Sequence, residues 1–271
     1  MKTHITKYAL FLALVIGITS CKKEIVEATD DSAPALSSAQ SQEQGDDLDA
    51  EAAFRLDPGQ SASGCPTLTW AQPRGTYPNT LTIDFGTGCT GFNGRVKSGQ
   101  IIVEETGAYH DAGSVRTITP QDFYVDDYHI EGSRTVTNAG LNAEGQPYWT
   151  IAVAHTVTNP EGGVATWTAN RVRTLIEGAD TEGCMDNVIS TTGGARGVAP
   201  NGESFTSTIT SPLIKRMDCR WPVSGVEELS IEGREGVRTI DFGSGDCDDK
   251  ATVTTPNGDT REITIRRRAR R

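Results

Sequence analysis

Runs of residues that alternate between apolar and polar leave this chain few ways to fold. They occupy 132–138, 148–158, 164–176, 187–192, 204–209, 250–255 and 260–265. Between them stand turn formers: Asn142-Ala143-Glu144-Gly145, Asn159-Pro160-Glu161-Gly162-Gly163, Pro200-Asn201-Gly202 and Pro256-Asn257-Gly258-Asp259. A period of two is the mark of a strand with one buried face. Short Asn-Gly turns join strands that pair antiparallel, because a parallel return needs a long crossover. Several runs reach ten residues, and long sequential strands favour a curved, twisted sheet or a two-layer sandwich. The expected fold class is therefore all-β, an antiparallel meander forming one or the other.

An internal repeat brackets these runs. Thr82-Ile83-Asp84-Phe85-Gly86-Thr87-Gly88 returns as Thr239-Ile240-Asp241-Phe242-Gly243-Ser244-Gly245. A cysteine follows each copy (Cys89, Cys247), another precedes each (Cys65, Cys219), and a tryptophan lies near each leading cysteine (Trp70, Trp221). The repeat suggests two related β units, near 64–107 and 219–266, each tied by its own disulfide: Cys65–Cys89 and Cys219–Cys247. Cys184 is then odd, a buried free thiol, with the alternative that it joins one of those pairs. Within each copy Ile and Phe share one strand face while Thr and Asp share the other. The repeated Asp is expected to cap the following Gly turn through backbone N–H groups rather than to act chemically.

The N-terminus carries an address. Lys2 and Lys7 precede an apolar run from Ala9 to Ile18, and Thr19 and Ser20 lead into Cys21. The run is too short for a membrane span and fits a secretory signal. Ending on a cysteine, residues 1–20 resemble the lipoprotein signal peptide of bacteria, which implies cleavage before Cys21 and its lipidation by diacylglycerol and an amide-linked chain such as palmitate. Two chains give stable anchoring. Lys22 after the cysteine, under the same resemblance, implies the outer membrane. Residues 22–63 hold ten acids against three bases and few large apolar side chains. Such a segment is expected to be a disordered acidic tether, with a short helix over 46–54. The β domain then covers 64–271. The lipobox, acidic tether, twin Ile-Asp-Phe-Gly units and Cys247-Asp248-Asp249 together resemble uncharacterised cell-envelope lipoproteins of Bacteroidota. That resemblance implies a location, possible exposure at the cell surface, and no activity.

Charge narrows the partners. The chain has 25 bases and 36 acids, a net −11. Five bases sit in the last six residues (Arg266, Arg267, Arg268, Arg270, Arg271), so the body itself is strongly acidic. An acidic body argues against nucleic acid. The expected partners are the membrane, through the lipid, and a glycan or an envelope protein.

Candidate sites are few. Trp149, Ile151, Val153 and His155 share one strand face, as do Trp167, Ala169, Arg171 and Arg173. If exposed, Trp149 and Trp167 would stack on sugar rings while Arg171 and Arg173 reach carboxylates or phosphates. Asp126, Asp127 and His129, with His110-Asp111 and His155, are the only His/carboxylate gathering. No HExxH or CxxC spacing accompanies them, so no metal is expected. Asp246, Asp248 and Asp249 depart from a calcium loop and read as a solvated turn. No nucleophile elbow, phosphate loop or dinucleotide fingerprint occurs, so no catalytic residue and no cofactor is assigned. The expectation is a non-catalytic binding or structural module. Its rivals are a hydrolase of surface polysaccharide or peptide, with dispersed carboxylates, and a periplasmic lipid or lipoprotein chaperone, with an apolar concavity.

Overall fold

The computed structural model describes residues 34, 35, 37–39, 48, 65–90, 95–181 and 185–265. Fourteen strands appear in chain order: β1 (Thr67–Trp70), β2 (Asn79–Asp84), β3 (Cys89–Thr90), β4 (Val96–Glu105), β5 (Val115–Val125), β6 (Tyr128–Leu141), β7 (Pro147–Thr158), β8 (Val164–Glu177), β9 (Val188–Val198), β10 (Ser204–Arg216), β11 (Ser224–Ile231), β12 (Arg238–Ser244), β13 (Lys250–Thr254) and β14 (Thr260–Thr264). All belong to one sheet, in the order of the sequence, with the short β3 alone added beside β4. Every pairing is antiparallel. The sheet is open and curved, with β1 and β14 as its edges. The sandwich alternative does not occur.

The turn signals fix the register. The loops at 142–146, 159–163, 199–203 and 255–259 share one hydrogen-bond pattern. In each, the first residue's N–H donates to the fifth residue's carbonyl, and the fourth residue, a glycine, donates back to the first. Those glycines (Gly145, Gly162, Gly202, Gly258) all have φ between 78° and 88°. This is the three-residue hairpin with a glycine bulge, and its twist matches that of long strands.

Curvature comes from bulges and from glycines inside strands. Register shifts interrupt the pairing of β4 with β5, β5 with β6, β6 with β7, β8 with β9, β9 with β10, β10 with β11 and β11 with β12. The expected strands at 187–192 and 204–209 are longer than the alternation shows, running on to Val198 and Arg216. Gly193-Gly194 and Pro212 lie beyond the alternating runs but within continuous strands, Pro212 where the β10–β11 register slips. A Cβ on Gly193 or Gly197 would run into the backbone carbonyls of Asn170 or Thr166 on β8. These glycines let the sheet fold tightly along β9.

One face is buried almost throughout. Ile83, Phe85, Ile101, Val103, Ile118, Phe123 and Ile130 fill one half. Val136, Trp149, Ile151, Trp167, Phe205, Leu229, Ile240, Phe242 and Val253 fill the other. In the repeat, Ile83 with Phe85 and Ile240 with Phe242 share a face, as their spacing predicted, and that face is the buried one. Six residues of the stretch read as a tether are described. Pro34, Ala35 and 37–39 are helical and buried, and so is Leu48, which lies in the stretch where a short helix was expected. Ala35 and Ala39 join the second cluster and Leu48 the first, so these residues lie against the inner face.

Both expected disulfides are present. Cys65–Cys89 and Cys219–Cys247 have S–S distances of 2.05 and 2.06 Å and span 24 and 28 residues. Cys184 is in neither pair and, like Cys21, lies outside the described residues. A loop of this size is worth about 3–4 kcal/mol in the chain-entropy view. Converting Cys219 and Cys247 together to Ser is expected to lower the thermal midpoint by roughly 6–16 °C, read by calorimetry in non-reducing buffer.

Candidate functional site

The tryptophans and arginines singled out from the sequence do share a face. Register pairs Trp149 with Arg173, Ile151 with Arg171 and His155 with Trp167. That face is the inner one. Trp149 and Trp167 are 6% and 2% exposed, so the sugar-stacking platform, which needs both rings open, is not formed. The loop at 106–114 folds over the end of this face. Its Tyr109 stacks on Trp149 with ring centroids 5.2 Å apart, and the Trp149 indole N–H donates to the Tyr109 carbonyl. Arg116 lies 4.3 Å over the Tyr109 ring and is itself bound to Glu105 at 2.7 Å. Trp167 belongs to the apolar cluster, beside Gly197 in register on β9. Alternation reveals that residues share a face and leaves open which face water sees.

Arg171 is a structural residue here. Its Nη2 donates to Glu227 Oε1 at 3.1 Å, both side chains being at least 95% buried. The two belong to β8 and β11, with β9 and β10 between them. Gly193, opposite Arg171 on β9, has no side chain to block the way. Ser38, from the N-terminal helical residues, donates its hydroxyl to the same Glu227 oxygen at 3.4 Å. Sequence reading missed this pair because nothing local marks two residues 56 positions apart. Arg173 is half-buried at the edge of the same face.

The His/carboxylate gathering disperses. Asp126 and Asp127 form the turn between β5 and β6 with φ of 48° and 69°. The Asp126 carboxylate takes Arg95 at 2.7 Å and the N–H of Val96. His129 stacks on Tyr124 with centroids 4.5 Å apart, and its Nδ1 lies 3.6 Å from Glu131. His110 stands edge-on to Tyr109, and His155 is buried on the inner face. Among the described residues no three His, Cys, Asp or Glu side chains converge. Asp248 accepts the Lys250 N–H as a turn residue. Lys250 has its pKa raised by its hydrogen bond to Glu262, a pairing on the exposed surface of β13 and β14.

The repeated aspartates do what the repeat suggested. Asp84 Oδ1 accepts the Gly86 N–H at 2.7 Å, and Asp241 Oδ1 accepts that of Gly243 at 2.9 Å. Asp84 Oδ2 also receives the Gln100 amide. Asp241→Ala is expected to cost about 1 kcal/mol in a urea melt, the worth of one such bond, with the disulfide beside it intact.

The open site lies on the other face. Across β6 to β10 the outward residues form a trough of about 520 Å³. Pairing aligns Ser133, Ala154, Thr168, Arg196 and Thr206 in one row, and Thr135, Ala152, Asn170, Gly194 and Thr208 in the next. Ala152, Ala154 and Gly194 keep the floor low, while hydroxyls, one amide and one guanidinium supply its polar groups. Arg196 Nε donates to Thr168 Oγ1 at 3.3 Å, tying the arginine to the neighbouring strand. None of the residues lining the trough is an acid, histidine or cysteine. Its volume falls in the range of ligand sites, and its groups can bind, while no histidine or carboxylate among them stands ready to activate a hydroxyl as a nucleophile. The sequence carried a signal for it that went unread: outward positions of five long strands filled with Thr, Ser, Ala and Gly.

No family model matches this chain, and no similar curated protein or solved structure was found.

Proposed function

We propose that this protein is an outer-membrane lipoprotein, held by lipid on Cys21, that serves the cell envelope as a non-catalytic binding module. The observation that supports the binding role is the trough: a ligand-sized concavity on an exposed sheet face, lined by hydrogen-bonding groups with no carboxylate, histidine or cysteine among them. A hydrolase acting through two carboxylates would need them about 5–10 Å apart across the bound chain. Nothing in the trough offers that. The anchoring rests on the sequence of residues 1–24, and the resemblance to Bacteroidota lipoproteins extends it to exposure at the cell surface. Labelled palmitate should enter the protein in growing cells, and Cys21→Ser should block labelling and move the protein out of the membrane fraction. Unlabelled protein, or unchanged fractionation of the variant, would remove the anchored reading.

A second reading is supported by the inner face. Its apolar clusters are covered in part by Ala35, Ala39 and Leu48 of the N-terminal stretch. A chaperone that shelters acyl chains would use such a concavity once the cover is displaced. Saturable uptake of a fluorescent fatty acid by the full-length protein is the result that reading requires.

A further inference from the structure

We infer that the trough across β6 to β10 is a binding site for an uncharged carbohydrate chain. The inference rests on the reading of the protein as an envelope binding module and names the ligand class of that module's site.

The first ground is an exclusion. Threonine is at home on a strand's outer face, but Lys, Glu and Asp, which are mostly exposed in folded proteins, ordinarily share such a face with it. This chain has 36 acids in 271 residues. Yet the outward positions Ser133, Thr135, Ala152, Ala154, Thr168, Asn170, Gly194, Arg196, Thr206 and Thr208 include no acid, and Arg196 is their only charge. Five strands broad, this patch is free of acids and, Arg196 apart, built of small uncharged side chains on an acidic molecule.

The second ground is the match of valences. The Thr168 hydroxyl is engaged with Arg196, donating to its carbonyl and accepting its Nε–H, but each other threonine or serine hydroxyl of the rows can donate once and accept twice, and Asn170 does both. A ligand that can answer all of them must itself present donors and acceptors along its length, as the hydroxyls of a sugar chain do. An acyl chain would leave them unanswered. A polyanion would meet one arginine on a chain of net charge −11. Neighbouring strands stand about 4.8 Å apart, so the rows offer hydroxyl contacts repeatedly over roughly 19 Å, the length of a few linked sugar rings. The methyl groups of Ala152, Ala154 and the threonines supply apolar ground for the C–H faces of those rings. Arg196, fixed by Thr168, adds directed donors without adding much mobile charge.

The test is affinity electrophoresis of the full-length, detergent-solubilised protein through native gels. The gels carry dextran, a soluble β-glucan or galactomannan, with polygalacturonate as the anionic comparison. At least one neutral polysaccharide should retard the protein. Ala154→Trp and Ala152→Trp, which fill the floor, should weaken that retardation at least tenfold. Thr252→Trp, on the same outward face three strands beyond the trough, should leave it unchanged. Circular dichroism melts would verify that all three variants are folded. The inference is overturned if no neutral polysaccharide retards the protein, if only polygalacturonate does, or if a folded Ala154→Trp protein is retarded like the parent. Palmitate labelling is read separately. Acylation with no retardation removes the carbohydrate alone, and retardation with no acylation removes the anchor and leaves the site.

Discussion

Glu227→Leu is expected to destabilise the protein by about 3–5 kcal/mol, enough to shift a urea midpoint well outside measurement error. Glu227 is fully buried, and its carboxylate receives Arg171 and Ser38. Removing it leaves the Arg171 guanidinium charged, 5% exposed and without its counter-ion. A charge stranded in that way costs far more than the pair contributes when intact, because both ions have already given up their hydration. The companion experiment gives the argument its edge. The double variant Arg171→Met/Glu227→Leu, which fills the same space with apolar atoms, should recover most of the loss. If the double variant is as unstable as the single one, the destabilisation comes from packing and the electrostatic account is wrong.

Gly132→Ala should cost about 3 kcal/mol or more, for a reason that concerns backbone rather than charge. Gly132 has a φ of 110° inside β6, opposite His155 on β7. A Cβ there would overlap the carbonyl oxygen of Ala154 and touch the Cα of His155, neither of which can yield without breaking the β6–β7 pairing. Gly202→Ala supplies the comparison. Its φ of 86° is also in the left-handed region, but nothing lies within 4 Å of the added carbon. That substitution should cost only the conformational part, about 1–2 kcal/mol. Equal losses at the two sites, measured in parallel denaturant titrations, would show that close strand approach at Gly132 is not what demands glycine.

Features encoded locally were the readable ones. The Asn-Gly turns, the period-two runs, the Asp84 and Asp241 turns and the two disulfides all rest on residues near one another or on a motif written twice. The sheet's sidedness was not readable, since Arg171, His155 and Trp167 alternate in the same way whether they face water or the core. Their burial depends on β9 offering Gly193, Ala195 and Gly197, a strip too small to fill the inner face by itself. The lengths of β9 and β10 were obscured because glycine and proline, reliable as strand ends in flat sheets, serve as bends in a coiled one. The trough had a signal in composition, but it becomes visible only when five strands are set side by side in register. Ala35, Ala39 and Leu48 were hidden by their setting, a few apolar residues in a stretch whose composition as a whole speaks for solvent.

Those seated residues also bear on standoff distance. An anchor at Cys21 would be joined to the buried Pro34 by the twelve residues between them, thirteen steps of chain. Fully stretched, that connection spans no more than about 47 Å. The β body would then ride close above the lipid headgroups, within a low ceiling that admits slender polymers lying along the bilayer more readily than bulky globular partners.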